Sequence, residues 1–157
     1  MEFQSIKEMS ELKNNEIEVY KGNGTYLALL VDRISSGDKE IKQMVNGEVA
    51  AKFHPKIPET IQGYISKRVE KGIALKNLIH YKDRENELEI SNVQTLKESR
   101  FMDESVNFES TLSLYGDKAS IINKDSDNLI GIIISDKNMV KLLNQMFNIA
   151  WNASTPV

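Results

Sequence analysis

No cysteine occurs among the 157 residues, which removes disulfides, thiolate metal sites and cysteine nucleophiles from consideration. Histidine is scarce, with only His54 and His80, far apart in the chain. A zinc site needs three or four ligands, so two distant imidazoles are a poor start and no metal site or cofactor is expected. The longest apolar run, 129–134, falls far short of the roughly 20 residues that span a bilayer. No apolar stretch of signal-peptide length follows Met1, so the expectation is a soluble, cytoplasmic protein with no membrane association. A basic excess is missing as well. Lys and Arg total 20 against 23 Asp and Glu, a formal net charge of −3, which argues against a free-standing nucleic-acid binder.

What is present is an ordinary globular composition, 40% apolar and 27% charged, in a chain of single-domain length. Phe3, Ile6, Met9 and Leu12 recur every third residue between lysines and glutamates, which suggests a short N-terminal helix over 3–14. From residue 17 to 152 the pattern predicts one α/β domain. Ile17–Tyr20 reads as a strand, closed by the Lys21-Gly-Asn-Gly24 turn. Leu27, Leu30, Val31 and Ile34 fall on one face of a helix ended by Ser35-Ser-Gly37. A strand over 40–45, a helix carrying Ile61, Ile65 and Val69, and a strand over 73–79 follow, separated by an irregular 46–56. That alternation predicts βαβ units and a mixed, partly parallel sheet flanked by helices.

Residues 81–99 are strongly charged and read as a surface helix with a loop. In the strand that follows, Phe108, Ser110, Leu112 and Leu114 share one parity, and Glu109, Thr111 and Ser113 the other. A hairpin joins 118–123 to 129–135 around Lys124–Asn128. Ser135 or Asp136 then caps a final helix whose expected core stripe is Met139, Leu143, Met146, Phe147 and Ala150, with Trp151 also taken as core.

Few residues invite chemistry. His54-Pro-Lys56 matches the opening of the phospholipase D signature, in which a histidine attacks phosphorus and a lysine holds the phosphate oxygens. The aspartate that should follow five residues after the lysine is Ile61, so a chance match is the simpler account. His80 reads as a strand-end ring. The acidic Asp125-Ser-Asp127-Asn128 lacks the glycine and terminal glutamate of a calcium loop. The glycine turn around Asn23 could offer amides to an anion, though it fits neither phosphate-loop pattern. Asn152-Ala-Ser154 is a glycosylation sequon by letter alone.

Together the segments Ile17–Gly24, Ser36–Ile41, Tyr64–Ile73, Leu114–Ile122, Ile130–Ile134 and Met146–Trp151 resemble the effector-sensing domain of TrmB-type transcriptional regulators. The resemblance implies a phospholipase D-like α/β/α sandwich. It places Lys118 at the signature lysine, Gly116 at the nucleophilic histidine and Asn123 at the aspartate. Glycine cannot attack phosphorus, so it implies a non-enzymatic module that senses a small-molecule effector or associates as a homodimer. A ligand of an open α/β sheet is favoured in a cleft at the carboxyl ends of the strands. The candidate contacts are therefore Asn23 in the glycine turn, Tyr115, Lys118 and Asn123, with no catalytic residue, although Lys118 could equally edge a strand and face water. Residues 3–14 would be the remnant of a dimerising helix, and DNA binding by this chain alone is not expected. The alternative is a phospholipase D-type phosphodiesterase or nuclease in which the fold brings His54 or His80 to Lys118.

Overall fold

The computed structural model describes residues 16–46, 58–83, 95–125 and 128–156. The expected helix over 3–14, the irregular stretch beyond residue 46, His54 and the tip of the acidic turn lie outside them. The described elements, in chain order, are β1 (Ile17–Lys21), α1 (Thr25–Ser35), β2 (Glu40–Val45), α2 (Pro58–Glu70), β3 (Ala74–Ile79), a short 3-10 turn (Tyr81–Asp83), β4 (Lys97–Phe101), β5 (Thr111–Tyr115), β6 (Lys118–Asp125), β7 (Asn128–Ile134), α3 (Lys137–Ala153) and β8 (Thr155–Pro156).

All eight strands join one sheet in the order β1-β7-β6-β5-β2-β3-β4-β8. The β2–β3 and β3–β4 pairs are parallel and the rest antiparallel, as the mixed pattern predicts. Side chains alternate across a strand, so the register sorts two faces. Ile122 and Ile133 meet Leu29 of α1, and α2 lies beside α1. Leu78, Leu114, Ala119 and Ile134 point to the opposite face, against Val140 and Phe147 of α3. Sheet and helices thus form three layers.

α1 comes unusually near the sheet because of Gly131 on β7. A Cβ built there would stand 2.6 Å from Thr25 Cγ2 and 3.1 Å from Leu29 Cδ1. The absent side chain is what lets the helix settle.

Three sequence readings need correction. The buried side of α1 is Thr25, Leu29, Leu30 and Arg33, whereas Leu27 and Val31 are 47% and 54% exposed. The sequence reading favoured the more apolar face; the helix instead turns an arginine inward, because Ser120 is there to receive it. On α3 the buried line is Val140 and Phe147, with Leu143, Ala150 and Trp151 partly covered. Met139 and Met146 are not core, since α3 carries more apolar residues than one stripe can bury. Finally, Lys97–Phe101 is a strand rather than part of a surface helix. Its buried members are Ser99 and Phe101, so half of its inward face is polar and disguises the alternation.

The Asp136 cap is as expected, its carboxylate accepting from the Met139 amide at 2.8 Å. Among the described residues, no helix is long and apolar enough to cross a membrane.

The close approach at Gly131 predicts that Gly131→Ala lowers the unfolding free energy by roughly 1–3 kcal/mol through overpacking against Thr25 and Leu29. Urea denaturation of the two proteins checks this, and an unchanged midpoint would contradict it.

Candidate functional site

Tyr115 ends β5 and Lys118 begins β6, and the two are paired across a two-residue turn, Gly116-Asp117. Gly116 has φ +52°, a conformation that side-chain-bearing residues rarely adopt and that tight hairpins give to glycine. The position that the resemblance gives to a nucleophilic histidine is therefore a turn glycine. Its amide donates to Asp38 Oδ2 at 2.6 Å.

Lys118 does not face water alone. Its ammonium donates to Asp32 Oδ1 at 2.7 Å, while the Tyr115 hydroxyl donates to Asp32 Oδ2 at 2.9 Å. One carboxylate near the end of α1 thus occupies both groups. The ion pair is partly exposed, at 34% for the lysine side chain and 25% for the aspartate, so its worth to stability is at most about 1 kcal/mol. Its effect on chemistry is larger. A lysine that would neutralise phosphate oxygens already has a carboxylate against it, and Asp38 and Asp117 add negative charge beside the turn. A phosphodiester entering here would displace one anion in the neighbourhood of two more.

The other two expected contacts are elsewhere. Asn123 lies five residues along β6 from Lys118, roughly 17 Å at about 3.4 Å per residue. Asn23 precedes α1, while Asp32 is seven residues into that helix from Thr25, about 10 Å along its axis. Both asparagines belong to the sheet end near Ile130, where Lys21 and Asn123 pair with that residue on either side. The structure brings together Tyr115 and Lys118 and separates them from Asn23 and Asn123.

His80 is no nearer. It follows β3, five residues beyond Leu75, which lies level with Ile41 and Tyr115. That is roughly 16 Å along the strand, and three strands across from β6. The ring is buried, packs edge-on to Phe108 at 6.0 Å, and accepts the Lys82 amide through Nδ1 at 3.2 Å. Among the described residues no three His, Asp or Glu side chains gather as a metal site.

The sequence reading missed a polar row behind this centre. Ser120, Ser113, Gln43, Asn77 and Ser99 are successive neighbours across β6, β5, β2, β3 and β4. They point toward α1 and α2, and all but Gln43 are buried. Arg33 comes down from α1 and donates through Nε and a terminal nitrogen to Ser120 Oγ, each at 3.3 Å. A guanidinium in the interior is costly to desolvate and survives there only with polar company. The available signal was Asp32-Arg33 inside an otherwise apolar helix, and serines at alternate positions of apolar strands. Alternation alone reads such serines as solvent-facing.

Burial also marks the phenols. It pushes the Tyr26 hydroxyl up to about 12, with Arg33 partly offsetting. Tyr115 is raised chiefly by burial too, and the Asp32 carboxylate adds to the effect.

No family model matches the chain, and no curated protein matches it in sequence. Solved structures do. TrmBL2, described as an archaeal chromatin protein with a novel mode of DNA binding, superposes with a TM-score of 0.60 at 15% identity. The match covers 98% of this chain, which spans 60% of that one. Nuc from Salmonella typhimurium, a phospholipase D family member, gives 0.63 at 12% identity over 90% of this chain and 99% of its own. NucT from Helicobacter pylori gives 0.57 at 9% identity, covering 90% and 100%. The resemblance read from the sequence therefore holds at the level of fold. This is a phospholipase D-like α/β domain, of a kind found in TrmBL2 and in phospholipase D family proteins.

Below pH 10, the ordinary phenol value, Tyr26 and Tyr115 keep their protons folded or unfolded. Above it the unfolded chain releases them while the folded chain still holds them, so stability falls as pH rises beyond 10. Denaturant titrations at pH 9 and pH 11 should show this loss, and Tyr26→Phe should reduce it. An identical loss in the variant would refute the assignment.

Proposed function

We propose that this chain is a non-catalytic phospholipase D-like module that senses a small effector and associates as a homodimer. The observation that carries the non-catalytic half is the centre at Lys118. A turn glycine stands at the nucleophile position, and the lysine is held by Asp32 at 2.7 Å. A covalent phosphodiesterase mechanism needs an imidazole within reach of phosphorus, and the one histidine among the described residues is buried at the far end of β3. The likeness to a DNA-associated protein over 98% of this chain supports a regulatory setting. The likeness to a phospholipase D family member makes turnover the outcome that would reverse this reading.

The association half is supported by α3. Met139, Leu142, Met146 and Ile149 follow the three-four spacing of a helix-pairing seam and are 48%, 61%, 57% and 70% exposed. The seam's polar flank is Asn138, Gln145 and Asn152. A carboxamide is both donor and acceptor, so it pairs with its own kind across a two-fold axis. A carboxylate or ammonium in its place would repel. The helix's charged residues, Lys137 and Lys141, turn away from the seam at about 100° per residue. Ile17 and Val19 of the edge strand β1, also exposed, extend the apolar surface on the same face. The occupant this chemistry fits is a second copy of the chain.

Two experiments test the two halves. Purified protein incubated with bis(p-nitrophenyl) phosphate should release no nitrophenolate above a protein-free blank. Turnover that disappears in Lys118→Ala would establish a phosphodiesterase instead. Light scattering on the eluting protein should give a dimer mass, and the double variant Leu142→Glu/Met146→Glu, altered only on exposed positions, should elute as a folded monomer. A monomeric wild type would sink the association half.

A further inference from the structure

We propose that the groove between α1 and α2 is the effector site, and that it takes a small amphiphilic anion, an apolar body ending in a carboxylate. This rests on the sensing reading above and names its ligand class. The groove encloses about 530 Å³, inside the roughly 300–1,000 Å³ typical of small-molecule sites. Leu27, Leu30, Val31 and Ile34 form its α1 wall. Two of them, Leu27 and Val31, are about half exposed, an apolar lining left open rather than packed.

The opposite wall is α2, and Gly63 is the residue that keeps the space. A mid-helix glycine costs helix stability, about 1 kcal/mol relative to alanine. Here its φ is not positive, and an added Cβ would meet nothing within 4 Å. Neither backbone strain nor a close neighbour requires it; what its missing side chain leaves is room in the groove. The polar groups gather on the α2 side. Lys67 and Lys71 flank the opening with Glu70 between them, leaving one net positive charge on the rim. Lys71 Nζ lies 3.5 Å from the Ile34 carbonyl, across the groove's end. Tyr64 also lines the groove, and its hydroxyl is shut from solvent with no hydrogen-bond partner among the described residues. A carboxylate placed against the Lys67 and Lys71 ammoniums would sit on the polar wall, while its hydrocarbon covers Leu27 and Val31.

The probes are 8-anilinonaphthalene-1-sulfonate, an aromatic anion with fluorescence that rises in apolar sites, and decanoate as its competitor. Saturable binding at one probe per chain, displaced by decanoate and not by decyltrimethylammonium, is expected. Gly63→Leu, which fills the groove and favours the helix, should abolish it. Lys67→Gln/Lys71→Gln should weaken it about tenfold, the scale of losing a charge-assisted hydrogen bond. Absence of saturable binding, equal affinity for the decyl cation, or full binding by Gly63→Leu would overturn the groove. A different ligand that raises the melting temperature equally in wild type and Gly63→Leu would also reject the groove, yet leave sensing in place. Phosphodiester turnover would reject the non-catalytic reading whatever the groove does.

Discussion

Asp32 is the residue on which the functional reading turns. One carboxylate near the end of α1 accepts from an ammonium on β6 and from a phenol on β5. Both donors flank a hairpin with a turn that demands glycine at positive φ. Phospholipase D family proteins share this fold, and among the described residues no imidazole stands beside this lysine. With Asp32 against it, it also has little electrostatic appetite for phosphate. The pair is too exposed to matter much for stability. Its consequence is the cancellation of a charge where an anionic substrate would otherwise be drawn.

The same helix links the rest of the architecture. α1 sends Arg33 into the sheet to Ser120, at the end of a polar row that crosses five strands. It holds Thr25 and Leu29 against β7 by virtue of Gly131. On its remaining side, Leu27 and Val31 face the groove shared with α2. An occupant of that groove would therefore press on the element that carries Asp32. One helix thus joins a ligand-sized space to the Lys118–Asp32 corner. Across the sheet, α3 exposes the apolar seam of Met139, Leu142, Met146 and Ile149.

Much of the fold was legible because its signals are local. Period-two and period-3.6 patterns placed β1, β2, β3, β5, β6, β7 and the three described helices, and the acidic cap of α3 sat where Asp136 suggested. Tyr115 and Lys118 could be grouped because only two residues separate them. Asp32 could not, being 86 residues away from Lys118, and nothing in a single sequence announces which distant carboxylate a lysine will find. Asn23 was assigned from the glycine turn and Asn123 through the resemblance, and strand and helix rise put them away from Lys118. The errors on α1 and α3 have one cause. Where a helix has apolar residues on more than one side, the pattern fixes the helix but not which side is buried. β4 was lost because Ser99, an inward position, belongs to a polar row that period-two reading treats as surface.

The most direct test of the Asp32 clamp is calorimetric titration of dimethyl phosphate into wild type and Asp32→Asn. The substitution keeps the side chain's shape and removes its charge, so it frees the Lys118 ammonium without emptying the site. Undetectable binding to the wild type and measurable, salt-sensitive binding to Asp32→Asn is the predicted result. Tight binding to the wild type that Asp32→Asn leaves unchanged would mean that Lys118 was never neutralised, and would contradict the account.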